Sequence, residues 1–359
     1  MNRREKTIAR ATSLVAVVLL TGSCGSPPPK DPYCSQAPLP SGASVKSGQG
    51  ALQVEGSTSA YFYVLDTAGK PVNHERLGKT LALDPGKYQV KVNNSAHPVT
   101  VEKGALTKCA TGTLLVAGTT SEYYYVQDAT GQALQHEHLG KALSFMPGTF
   151  RVKVNNTEAP AEVKLAQTAE LKTGTLVVRG STAEYYYASD TLGKALNHNH
   201  LEKPLALLPG SYTVKVNNTE AKVDIAAGQL TELKTGSVLI KGLTEGYYYV
   251  SDTMGKPLNH NHLNKALSFF PGSYRVQVNK SEKAVDVAAA QAAEVQTGSL
   301  MVEGTGSDYY YVTDKTGNSL NHNSLNKALS FFPGEYNIKL GQGTRTASVE
   351  AGQTTRVKF

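Results

Sequence analysis

Tryptophan is absent from this chain of 359 residues, and there are only three cysteines and four methionines. Without Trp, any stacking surface has to be built from Tyr, which is plentiful at 19 residues. After residue 30 no run of Lys or Arg reaches three, so there is no nucleic-acid footprint. No apolar run is long enough to span a bilayer, since Ser13 to Leu20 is the longest near the start. Signatures of catalysis are missing too: no Gly-x-Ser-x-Gly elbow, no His-Glu-x-x-His, no phosphate loop and no paired carboxylates. The expectation is a protein that is not an enzyme and needs no cofactor.

What the chain does have is one phrase of 62 residues, given five times. Aromatic triplets mark it at Tyr61-Phe62-Tyr63, Tyr123-Tyr124-Tyr125, Tyr185-Tyr186-Tyr187, Tyr247-Tyr248-Tyr249 and Tyr309-Tyr310-Tyr311, with no insertion or deletion between them. Such strict repetition builds a string of like modules along an elongated body. In the second copy, alternating apolar residues and turn signals mark short strands around Leu114 and Val116, Tyr123 to Asp128, Leu143 and Phe145, Phe150 to Val154, Val163 and Leu165, and Leu171. The Ala-rich stretch from Val285 to Val295 is the one helix-friendly segment, and Gly228 and Gly352 at the same slots favour strand-turn-strand. The predicted fold is all-β: five tandem small antiparallel β-sandwich modules. They are assigned to residues 49–110, 111–172, 173–234, 235–296 and 297–359. The Thr-Gly pairs at 111–112, 173–174, 235–236 and 297–298 are either direct links between packed modules or hairpin turns, which leaves the boundary open.

The front of the chain reads as an export signal over residues 1–23, with Arg3, Arg4, Lys6 and Arg10 ahead of the apolar run and Thr21-Gly22-Ser23 before Cys24. Removing it takes a net +3 from the formal +7 and leaves +4. Cys24 after small residues, followed by Gly25-Ser26-Pro27-Pro28-Pro29, resembles a bacterial lipoprotein signal. That resemblance implies acylation of Cys24, attachment to a membrane without a spanning helix, and a Pro/Gly/Ser tether over residues 24–48. The alternative is ordinary signal cleavage near Ser23. The absence of Asp after Cys24 implies the outer rather than the inner membrane. The other two cysteines, Cys34 in the tether and Cys109 at an apolar position of the first copy, are expected to form a disulfide; the alternative is a pair of free thiols.

Leu205-Ala206-Leu207-Leu208-Pro209-Gly210-Ser211-Tyr212-Thr213-Val214-Lys215-Val216 is similar to PEGA-type domains of bacterial surface proteins, although Ser181-Thr182-Ala183-Glu184 stands where the name-giving Pro-Glu-Gly-Ala is expected. This resemblance implies small β-sandwiches with no catalytic role, and a cell-envelope scaffold, spacer or adhesin with a protein or cell-wall partner.

Two sets of side chains are candidate sites. In each triplet the middle ring is expected to face the core and the outer two the other face, so Tyr123, Tyr125, Tyr185, Tyr187, Tyr247, Tyr249, Tyr309 and Tyr311 belong to a ladder suited to glycan or protein contact. The pairs His136/His138, His198/His200 and His260/His262 share a face if extended, and offer two ligands to a metal ion. A closed site wants roughly three or four, and the second His becomes Arg76 in the first copy and Ser324 in the last. The Asp-x-x-Gly segments from Asp66, Asp128, Asp190 and Asp252 read as turns, not calcium loops.

Overall fold

The computed structural model describes residues 31–359, so the signal segment and Cys24 lie outside the described residues. The described chain is all strand and turn. The first copy holds β2 (Gly50–Glu55), β3 (Tyr61–Leu65), β4 (Pro71–Arg76), β5 (Thr80–Leu83), β6 (Gly86–Val92), β7 (Ser95–Val101) and β8 (Ala105–Ala110), preceded by β1 (Cys34–Pro38). The second repeats the set as β9 (Gly112–Ala117), β10 (Tyr123–Gln127), β11 (Ala133–His138), β12 (Ala142–Phe145), β13 (Gly148–Val154), β14 (Thr157–Val163) and β15 (Thr168–Lys172). Each copy folds into two facing sheets: in the second, one of four antiparallel strands in the order β11-β10-β13-β14 and one of three in the order β12-β9-β15; in the first copy β1 adds a fourth strand to the smaller sheet, in the order β1-β8-β2-β5. Val285 to Val295 is strand-turn-strand, with Ala290 at φ 59° in the turn.

Seven strands, not six, make a module, and one pairing differs from the antiparallel rule: β15 runs parallel to β9, as β8 does to β2. The cause is visible at the Thr-Gly link. Only Thr111 separates β8 from β9, and the chain runs straight on instead of turning back. Its N–H continues the first module's ladder to Glu55 O at 2.8 Å, while its carbonyl accepts from Ala166 N–H of the second at 3.0 Å. A last strand that flows directly into the next first strand has to share its direction. The parallel pairs Ala51–Leu106 and Thr113–Thr168 join residues 55 apart, 7 short of the period of 62. Each module therefore starts 7 residues further along, about 23 Å at ~3.3 Å per residue. Gly174 shows how tight the link is, since a Cβ there would lie 2.4 Å from Ala226 O.

The core of each of the first four modules is closed by its successor. Leu114, Tyr124, Val126, Phe145 and Val152 are packed with Ala206 and Leu208 of the third copy; Phe270 completes the third core, Phe332 the fourth and Met146 the first. The Asn-Asn-Thr turn forms the polar half of this joint. Asn155 and Asn156 take φ of 46° and 62°, which Asn tolerates better than most residues. Their side chains donate to Ala206 O and Leu196 O of the next module, at 2.9 and 2.6 Å. Thr157 donates to Val154 O and accepts from Leu208 N–H at 3.0 Å. Modules that bury little surface alone gain a shared interface in this way.

Before the first module, Cys34 and Cys109 are joined (S–S 2.06 Å), and β1 pairs antiparallel with β8 along the sheet edge.

Candidate functional site

The candidate residues fall on one face of the four-stranded sheet. Alternation along β10 places Tyr124 inward, fully buried, and leaves Tyr123 and Tyr125 at 42% and 51% exposure; the same split holds in every copy. The buried hydroxyl donates to Lys141 O at 2.8 Å, with Tyr186, Tyr248 and Tyr310 bonded likewise to Lys203, Lys265 and Lys327. Burial pushes the pKa of these four phenols well above the usual tyrosine range, making them weaker acids. The middle rings are therefore structural. The outer ones are free to meet a partner.

The histidines belong to the same face. β11 pairs with β10 so that His136 lies opposite Tyr125 and His138 opposite Tyr123. Tyr125 stacks on His136 with centroids 5.5 Å apart, and Tyr123 on His138 at 3.9 Å. Tyr185 and Tyr187 meet His200 and His198 in the same way, as Tyr247 and Tyr249 meet His262 and His260. In the fifth copy Tyr309 and Tyr311 flank the single His322. Where the first copy has Arg76 for the second His, the guanidinium sits 5.0 Å above Tyr61, a cation–π contact. Each imidazole is thus held against a phenol ring. Among the described residues one cluster brings three possible metal ligands together, Asp31, Cys34 and His97, and there Cys34 is spent in the disulfide.

Sequence reasoning missed the third member of the face. On the other side of Tyr125, β13 presents Lys153, and beyond it β14 presents Glu158. A row His136–Tyr125–Lys153–Glu158 thus crosses all four strands, closed by a Lys153–Glu158 ion pair at 3.0 Å. The third copy repeats it as His198–Tyr187–Lys215–Glu220, again with a 3.0 Å ion pair. Gln277 replaces Lys in the fourth copy, and Lys339 faces Thr344 in the fifth. The signal was available in the alternation of Val152 and Val154 with Lys153, but only strand register ties that lysine to the tyrosines. Beside the row lies an open cleft of about 640 Å³, reached by Glu122, Tyr123, Tyr125, Lys153 and Asn155. Matching clefts of about 480 and 880 Å³ adjoin Tyr185 and Tyr187, and Tyr309 and Tyr311.

The Asp-x-x-Gly segments are turns. Asp128 Oδ1 accepts from the N–H groups of Thr130 and Gln132 at 2.9 Å. In the fifth copy the Asn318 and Thr316 side chains add bonds that hold the Asp314 carboxyl down at about 2. Every buried side-chain nitrogen and oxygen among the described residues has a hydrogen-bond partner.

No family model matches the chain, and no curated protein matches it. Among solved structures it is similar to the Bacillus anthracis TIE protein (9% identity, 87% of this chain and 67% of that one, TM-score 0.17). It is also similar to BcpA, the major pilin subunit of Bacillus cereus (9%, 87% and 99%, TM-score 0.18), and to the pilus adhesin SpaC of Lactobacillus rhamnosus GG (10%, 85% and 54%, TM-score 0.16). TM-scores this low carry no weight for function.

Proposed function

We propose that the chain is a non-enzymatic lipoprotein of the cell envelope, acylated at Cys24 and held at the outer membrane, with its modules acting as an extended scaffold that displays an adhesive face. The observation that carries this reading is the recurrence of one exposed Tyr–His face in all five copies at a fixed phase. Identical weak sites in series gain avidity against a partner that is itself repetitive, with no need for a strong single site. Acyl labelling tests the anchor: Cys24→Ser should lose both label and pelleting with membranes, and an unlabelled, soluble wild type would reject it. The face is tested by cell-envelope binding of a chain with Tyr125, Tyr187, Tyr249 and Tyr311 changed to Ser, which should lose most retention.

A second reading, glycan or metal capture by the same face, is favoured by the clefts beside the tyrosines. Saturable binding of one sugar class would support the glycan form. Metal retained after dialysis and lost in His198→Ala with His200→Ala would support the other.

A further inference from the structure

The first module differs from the others at the edge of its smaller sheet. There β1 adds a strand outside β8, in the register Cys34–Cys109, Ser35–Lys108, Gln36–Thr107 and Ala37–Leu106. In the third module the strand equivalent to β8, Leu230–Lys234, ends its sheet: it pairs in parallel with Gly174–Arg179 on one side and with nothing in the described chain on the other. The effect on side chains is large. Leu106 is 4% exposed, whereas Leu230 at the same point of the period is 58% exposed. Cys109 is 1% exposed, and its equivalent Leu233 is only partly buried. The second, fourth and fifth modules carry Thr168, Ala292 and Thr354 at the Leu230 position, so the third alone offers two leucines on an open strand.

We infer that the Leu230–Lys234 edge is a docking site for an extended segment of a partner protein, seated antiparallel as β1 is on β8. The seat of β1 defines the chemistry of the occupant: a small or apolar side chain facing Leu233, and a small neutral one facing Glu232, whose carboxylate is already held by Arg179 at 2.9 Å, just as Ser35 faces Lys108 in the first module. Main-chain bonds supply the affinity and alternate side chains the specificity. The Lys234 N–H is the counterpart of the Ala110 N–H, which donates to Tyr33 O at 3.3 Å. Lys234→Pro removes that donor while leaving the inward ladder to its neighbour intact.

The test uses the full chain and a synthetic peptide spanning Asp31–Pro40. In Leu233→Cys, which copies the residue found at position 109, the thiol of the peptide should be trapped as a mixed disulfide under mild oxidation. Trapping should be about tenfold above that on Lys234→Cys, whose side chain points to the other face, and should be lost when Lys234→Pro is added to Leu233→Cys. On the unaltered chain, a labelled peptide carrying Cys34→Val should saturate, with Leu230→Lys or Lys234→Pro weakening it by about tenfold. Equal trapping at both introduced thiols, or no saturation at millimolar peptide, overturns the proposal. So does a peptide-independent dimer that Lys234→Pro dissolves, which would make a second copy the occupant.

Discussion

Leu207 and Leu208 are neighbours in the chain, yet they belong to different cores: Leu207 packs with Tyr186 and Val214 of its own module, and Leu208 with Tyr124 and Phe145 of the module before. Leu208→Ala should therefore weaken a module in which it does not lie. Truncating a buried Leu costs about 2–5 kcal/mol, with the upper range reached where the surroundings cannot collapse into the space. Leu208 is 2% exposed and its N–H is fixed to Thr157 at 3.0 Å, so collapse is hindered and about 3–4 kcal/mol is expected. Hydrogen exchange read by mass spectrometry resolves the location. Leu208→Ala should lower protection of β10 and β13 by about two to three decades, since ~1.4 kcal/mol is one decade. Leu207→Ala should loosen Tyr185–Asp190 and Gly210–Val216 instead. If both variants loosen only the third module, the shared-core reasoning is wrong.

Gly174→Ala places a Cβ 2.4 Å from Ala226 O and should cost about 1–3 kcal/mol, read as a lower urea midpoint with unchanged slope. Replacing Cys34 and Cys109 by Ser opens a loop with a sequence separation of 75 and should destabilise the first module by up to about 4 kcal/mol, seen as earlier loss of its amide protection while the fifth module is unaffected. The Asp314 carboxyl, at about 2 when folded against 3.8 otherwise, stabilises its turn above pH 3.8 and stops doing so as pH falls through about 2. In Thr316→Ala with Asn318→Ala, its NMR titration midpoint should rise toward 3.8.

Much of this was written in the residues. The triplet Tyr123-Tyr124-Tyr125 announces its own two faces because a strand alternates, and the absence of helix among the described residues follows from Gly, Pro and Asn at the turns. The histidine strand was harder to see. Along β11 only Leu134 is buried, so an edge strand made of polar residues shows no hydrophobic period, and the meeting of His136 with Tyr125 depends on register that periodicity does not encode. Asn155, Asn156 and Thr157 look like an ordinary polar turn and turn out to grip the next module; their partners lie 40 to 51 residues away. Met146, Leu208, Phe270 and Phe332, which precede Pro-Gly in the second to fifth copies, belong to the core of the module before, and no local pattern encodes that.

The parallel ladder between the first and last strand of each module has a mechanical consequence. Tension along the chain drags β9 toward one end and β15 toward the other while they lie side by side, so the five register pairs from Thr113–Thr168 to Ala117–Lys172 are loaded in shear. Bonds loaded that way have to fail as a group, whereas a hairpin pulled from its open end peels apart one pair at a time. Four such clamps in line, those of the second to fifth modules, give the chain a stepwise resistance to stretching, set by the rate at which a single clamp lets go, while the Cys34–Cys109 bond carries the load past the first.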